Sequence, residues 1–121
     1  MKALLLSGLL LLAFVAAAED RPLLYAGGDG HAYLITRDDL VHIHREHKQP
    51  LDIGPGPRVF PSQTGVFASA GDRLWLIERG KPTGIGEGVL IDMAETPEGA
   101  YLFVHQEALR VLFFPYTEDA P

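Results

Sequence analysis

The chain has no cysteine and no asparagine, one tryptophan, two methionines and only three serines. Without cysteine there are no disulfides, no thiolate metal sites and no covalently attached haem, so a packed core alone must hold the fold. Without asparagine there is no N-glycosylation acceptor, and tight turns are left to Gly, Asp and Pro. Of the serines, Ser7 falls in an apolar leader, and neither Ser62 nor Ser69 sits in a G-x-S-x-G elbow, which argues against serine hydrolysis. Met93 is the only methionine after Met1, so no methionine-rich copper motif is present. Positive charge is scarce as well: Lys and Arg number 10 against 16 Asp and Glu, a net charge of −6. The arginines are scattered, and this balance argues against nucleic acid or an anionic membrane as partner, because both require a basic face.

Helical periodicity is also missing. Thirteen glycines and nine prolines interrupt the chain, and beyond the leader no window of a dozen residues keeps a 3.6-residue period without one.

What is present begins with Met1-Lys2, an apolar run over residues 3–18 broken only by Ser7 and Gly8, and then Glu19-Asp20-Arg21. A basic start, an apolar stretch and an Ala16-Ala17-Ala18 exit predict a secretory signal peptide at residues 1–18, cut after Ala18. The run is shorter than the ~20 residues of a spanning helix. A retained N-terminal anchor is the alternative. Cleavage predicts a periplasmic or secreted protein with no stable membrane anchor, and the missing cysteine excludes the lipoprotein form of the signal. The remainder, about 100 residues, suffices for one compact domain. We place a single β-rich domain at residues 19–116 and a disordered acidic tail at 117–121.

The pattern of residues 23–43 organises that domain: strand, tight turn, strand, tight turn, strand. It returns around Trp75 and around Tyr101. Gly30, Gly71 and Gly99 precede three apolar stretches, Ala32-Tyr33-Leu34-Ile35, Leu74-Trp75-Leu76-Ile77 and Ala100-Tyr101-Leu102-Phe103. Tyr33, Trp75 and Tyr101 thus read as equivalent positions. The spacing predicts an all-β domain of about nine short antiparallel strands in three meander units. The central strands are apolar on both faces, which suits stacked sheets or a small barrel. Residues 49–64, with Pro50, Pro55, Pro57 and Pro61, read as a long mobile loop or crossover.

Tyr25-Ala26-Gly27-Gly28-Asp29-Gly30-His31-Ala32-Tyr33-Leu34 and Phe67, Gly71, Asp72, Trp75, Gly80-Lys81 resemble the repeats of PQQ-like and related β-propellers. The third unit keeps Gly99, Tyr101 and Leu102. The resemblance covers about half of the chain after the leader and implies blade-like hairpins. Such propellers often bind quinone cofactors or partner proteins, but no cofactor residue carries over. At ~40 residues per blade the chain is too short for a closed propeller. Three outcomes follow: closure by self-association, an independent small sandwich or barrel, or turn chemistry alone. We favour the second.

One chemical cluster stands out, His42-Ile43-His44-Arg45-Glu46-His47. On a strand over 40–46, His42, His44 and Glu46 share a face, and His47 or Glu46 can add a third ligand. Imidazoles without thiolates suit copper, zinc or nickel. The plain alternative is a solvated edge strand. Asp38-Asp39 lacks the series of a calcium loop, and residues 84–88 lack the Lys-Ser/Thr of a phosphate loop. No nucleophile and base can be assembled from local spacing, which argues against an enzyme. The sequence therefore predicts an exported binding module whose 49–64 loop and aromatic hairpins, with Tyr33, Trp75 and Tyr101, contact a protein partner. The runner-up is a metal-binding protein using His42, His44 and His47. Residues 112–116 read as a last core strand or as an edge open to association.

Overall fold

Short apolar runs separated by two-residue turns fold as hairpins. The computed structural model describes residues 23–116, whose regular structure is all antiparallel strand. Among these residues no helix is long and apolar enough to cross a membrane. The expected signal peptide at 1–18 and the expected tail at 117–121 lie outside the described residues.

Eleven strands form three sheets in chain order. The first holds β1 (Leu24–Ala26), β2 (Ala32–Thr36), β3 (Asp39–His44) and β4 (His47–Leu51). The second holds β5 (Arg58–Pro61), β6 (Val66–Ala70), β7 (Arg73–Glu78) and β8 (Lys81–Glu87). The third holds β9 (Val89–Thr96), β10 (Gly99–Gln106) and β11 (Ala108–Pro115). The all-β class and the three meanders stand. The count of nine is corrected by β4 and β5, which occupy much of the predicted 49–64 crossover. Their prolines are tolerated because both are edge strands, where a missing N–H breaks no interior ladder. The barrel alternative is corrected too, since the three sheets stay separate and none closes on itself.

The sheets stack face to face, and strand alternation decides which side chains meet. Every residue of β6 is buried. Its Val66, Ala68 and Ala70 join Tyr33 and Leu40 of the first sheet and Ile77 of β7 in one core. Phe67 joins Leu74, Leu76 and, from the third sheet, Leu90, Leu102 and Val104 in the other. Phe67 also meets Phe114 edge-on, with centroids 5.5 Å apart. A fully buried side chain of this size stabilises by about 1.5–3 kcal/mol, so the doubly covered middle sheet anchors the molecule. Hydrogen bonds tie it to the third sheet: Arg58 Nε donates to the Leu90 carbonyl (2.8 Å), the Leu90 N–H donates to Ser69 Oγ (3.0 Å), and the Gln63 N–H of the β5–β6 turn donates to Glu95 Oε2 (2.7 Å). The first strands meet, β1 against β5 and β5 against β9, and β9 also lies against β6 and β7.

Tyr33, Trp75 and Tyr101 are not equivalent, which corrects the repeat alignment. Tyr33 is completely buried and faces the middle sheet. Trp75 is half-buried and faces the first sheet. Tyr101 is 46% exposed on the far side of the third sheet. The glycine-hinged turns recur, but Trp75 lies on the third strand of its sheet, whereas Tyr33 and Tyr101 lie on second strands, and among the described residues no further sheet covers Tyr101.

Candidate functional site

The face of the first sheet that looks toward the middle sheet is apolar at one end and imidazole-rich at the other. Tyr33 lies opposite His42 and His44 opposite His47 in the ladder, while His31 sits just before β2. This alternation gathers His31, His42 and His44. His31 Nδ1 and His42 Nε2 are 2.7 Å apart. The rings of His31 and His44 stack at 3.9 Å and 4°, and those of His31 and His42 at 4.9 Å and 17°. His42 also leans on Tyr33, with centroids 5.5 Å apart.

The sequence reading found two of these three residues. Local spacing groups His42, His44 and His47 and leaves His31 or His105 as the histidine that could converge on them; the strand register brings His31. His47 pairs with His44 across the turn but is exposed. Glu46 is not on the strand: β3 ends at His44, and Arg45 turns the chain with φ +60°. His105 lies on the third sheet.

Below the imidazoles is a carboxylate latch. Asp29 accepts hydrogen bonds from the His31 N–H (3.1 Å), the Tyr33 hydroxyl (3.0 Å) and the Arg79 N–H (2.6 Å). The Gly80 N–H donates to the Tyr33 oxygen at 3.0 Å. The latch therefore fastens the first sheet to the turn between β7 and β8. That turn has two left-handed residues, Arg79 (φ +51°) and Gly80 (φ +78°), as a type I′ hairpin requires. Gly80 is needed twice over, because the His42 ring occupies the place a β-carbon would take. Beside the latch lies an open cleft of about 590 Å³, lined by Asp29, Gln63, Glu78, Arg79 and Lys81 among others.

These contacts tune the charges. Burial pushes the Asp29 carboxyl up, but the two backbone N–H donors and the Tyr33 hydroxyl outweigh it and hold it below its ordinary value. Burial, then the neighbouring His31, holds His42 and His44 below the usual histidine value. Burial and the Asp29 charge push the Tyr33 phenol well up. Near neutral pH His42 and His44 are thus neutral imidazoles above an ionised Asp29.

The 2.7 Å spacing of His31 and His42 is that of a shared proton; two nitrogens on one tetrahedral zinc sit roughly 3.3 Å apart. Among the described residues, no three His, Asp or Glu groups are arranged to hold a metal ion. No family model, no curated protein and no solved structure matches the chain.

Proposed function

We propose that this chain is an exported, non-enzymatic interaction module, and that it binds a protein partner through the uncovered faces of its two end sheets. One observation carries the reading. The large exposed apolar side chains lie on or just before the first and third sheets, and none is on the middle one: Leu24 is 58% exposed, Tyr101 46%, Leu109 59%, Val111 64% and Phe113 47%. Contiguous apolar patches on a protein surface are typically interaction sites. On the third sheet, Tyr101 and Phe113 pair with centroids 4.9 Å apart, beside a depression lined by Phe103, Val111 and Met93.

The test is site-specific photocrosslinking in cells that produce the protein. A crosslinker at Val111 or Leu24 should give a discrete adduct, and one at the exposed Thr83 of the middle sheet should not. Absence of an adduct at both apolar positions contradicts the reading.

The gathering of three imidazoles, His31 stacked on both His42 and His44, favours a second reading, binding of copper, zinc or nickel. A small ring rotation would separate the nitrogens enough to share an ion, with His44 stacked alongside. Stoichiometric Cu(II) or Zn(II) should then raise the melting temperature, and His31→Ala with His42→Ala should abolish the rise. An unchanged melting temperature in the unaltered protein contradicts metal binding.

A further inference from the structure

We infer that the partner of the end sheets is a second copy of this chain, joined head to tail so that the outer face of the third sheet covers the outer face of the first. The inference rests on the interaction-module reading and names its partner.

The molecule contains the template for the contact. Twice within the chain, one sheet presents a face to the next: the first sheet places Tyr33 and Leu40 against Val66, Ala68 and Ala70, and the second places Phe67 and Leu76 against Ala100 and Leu102. In both contacts an aromatic ring is set against small or branched side chains. The third sheet has a third such face, bearing Tyr101, Phe103, Val111 and Phe113, which nothing among the described residues covers. The first sheet has the receiving kind of face. Its side away from Tyr33 carries Ala26, Ala32 and Ile43 in one row and Leu24, Leu34 and Val41 in the next. Bulky rings at one end of the stack therefore match small and branched residues at the other.

The two faces differ, so the contact is heterologous: such contacts form rings when the rotation closes and filaments when it does not. The first strands of the three sheets converge, so the sheets fan about one side. Radial sheet arrays close with roughly four to eight sheets. One chain supplies three, too few; two supply six; three copies would exceed the range. Three strands at ~4.8 Å spacing and about eight residues long present a face of roughly 350 Å². Two contacts bury four such faces, on the order of 1,400 Å², within the ~1,200–2,000 Å² of stable pairs. The proposal is a closed two-chain ring.

Sedimentation equilibrium of the purified protein at micromolar concentration tests it. A species of twice the chain mass is expected. Val111→Asp on the donor face and Leu24→Asp on the receiving face should each give a folded monomer by circular dichroism, because both side chains are exposed. Mixing the two variants leaves one of the two contacts intact, so the mixture should pair more strongly than either variant alone and more weakly than the unaltered protein. A monomeric unaltered protein overturns the proposal, as does a dimer that survives Leu24→Asp or a larger or open-ended assembly. Crosslinking of Val111 to a different protein, with the purified chain monomeric, also overturns self-pairing while leaving the interaction module intact.

Discussion

Asp29 does more for the fold than any other exposed-turn carboxylate described above. Its oxygens take three hydrogen bonds, one of them from a residue fifty positions later in the chain. Removing them strands the hydroxyl of the fully buried Tyr33, and an unsatisfied buried donor costs about 1–3 kcal/mol. Asp29→Ala should therefore lower the unfolding free energy in urea by about 2–3 kcal/mol, and Asp29→Asn by less; an unchanged urea midpoint in Asp29→Ala would contradict the latch. The imidazoles above it set a pH dependence. His42 and His44 titrate lower folded than unfolded, so the unfolded chain binds more protons as the pH drops through the ordinary histidine value of 6.5. Stability from neutral imidazole is full above that value and is lost below it. The depressed Asp29 acts in the same direction, losing its contribution only below 3.8, its ordinary value. The melting temperature should fall between pH 7 and pH 5, and His42→Gln should shrink that fall. A melting temperature that rises on acidification would show the cluster to be stabilised by charge.

At the scale of strands and turns, much was legible and the reasons are specific. The nine expected strands are present, most of them as apolar runs between turn residues; β8, glycine-rich and largely exposed, is the exception. β4 was hidden because His47–Leu51 is polar and contains Pro50; only Leu51, opposite Leu40, packs against the core. β5 was hidden by the prolines around it. The surroundings of each ring were not legible: Tyr33 and Tyr101 both point onward from the second strand of their sheet, but only Tyr33 has a following sheet to cover it, and Trp75 sits on a third strand because β5 went unseen. Nor was the latch, because Asp29 reads as an ordinary turn residue until Arg79 is brought beside it. The turns also depart from expectation. With no asparagine available, Arg37 (φ +52°), Arg45 (φ +60°) and Glu107 (φ +68°) take left-handed positions, as Arg79 does beside Gly80. Such residues cost about 1 kcal/mol there. Arg37→Asn should thus stabilise by about 0.5–1 kcal/mol in chemical denaturation. Gly80→Ala should do the opposite, lowering stability by more than 1 kcal/mol, because both the backbone and the His42 ring oppose a β-carbon. Equal stability of Gly80→Ala and the unaltered chain would mean that His42 does not pack on this turn.

For the whole molecule, the decisive feature is that one sheet is covered twice and two are covered once. Phe67, between the middle and third sheets, is completely buried, whereas Phe113 is 47% exposed. Truncating Phe67 to alanine should cost about 3–5 kcal/mol, as for a large core side chain, and Phe113→Ala far less in a dilute monomer. The same asymmetry makes the end faces the surfaces with most to gain from a partner. Carbene footprinting with mass spectrometry reads those faces directly, comparing the native extract with the purified chain at nanomolar dilution. Labelling of Leu24, Leu34, Tyr101, Val111 and Phe113 should be lower in the native extract, while Lys81–Glu87 label equally in both. Equal labelling of the two end faces in both samples would contradict the account.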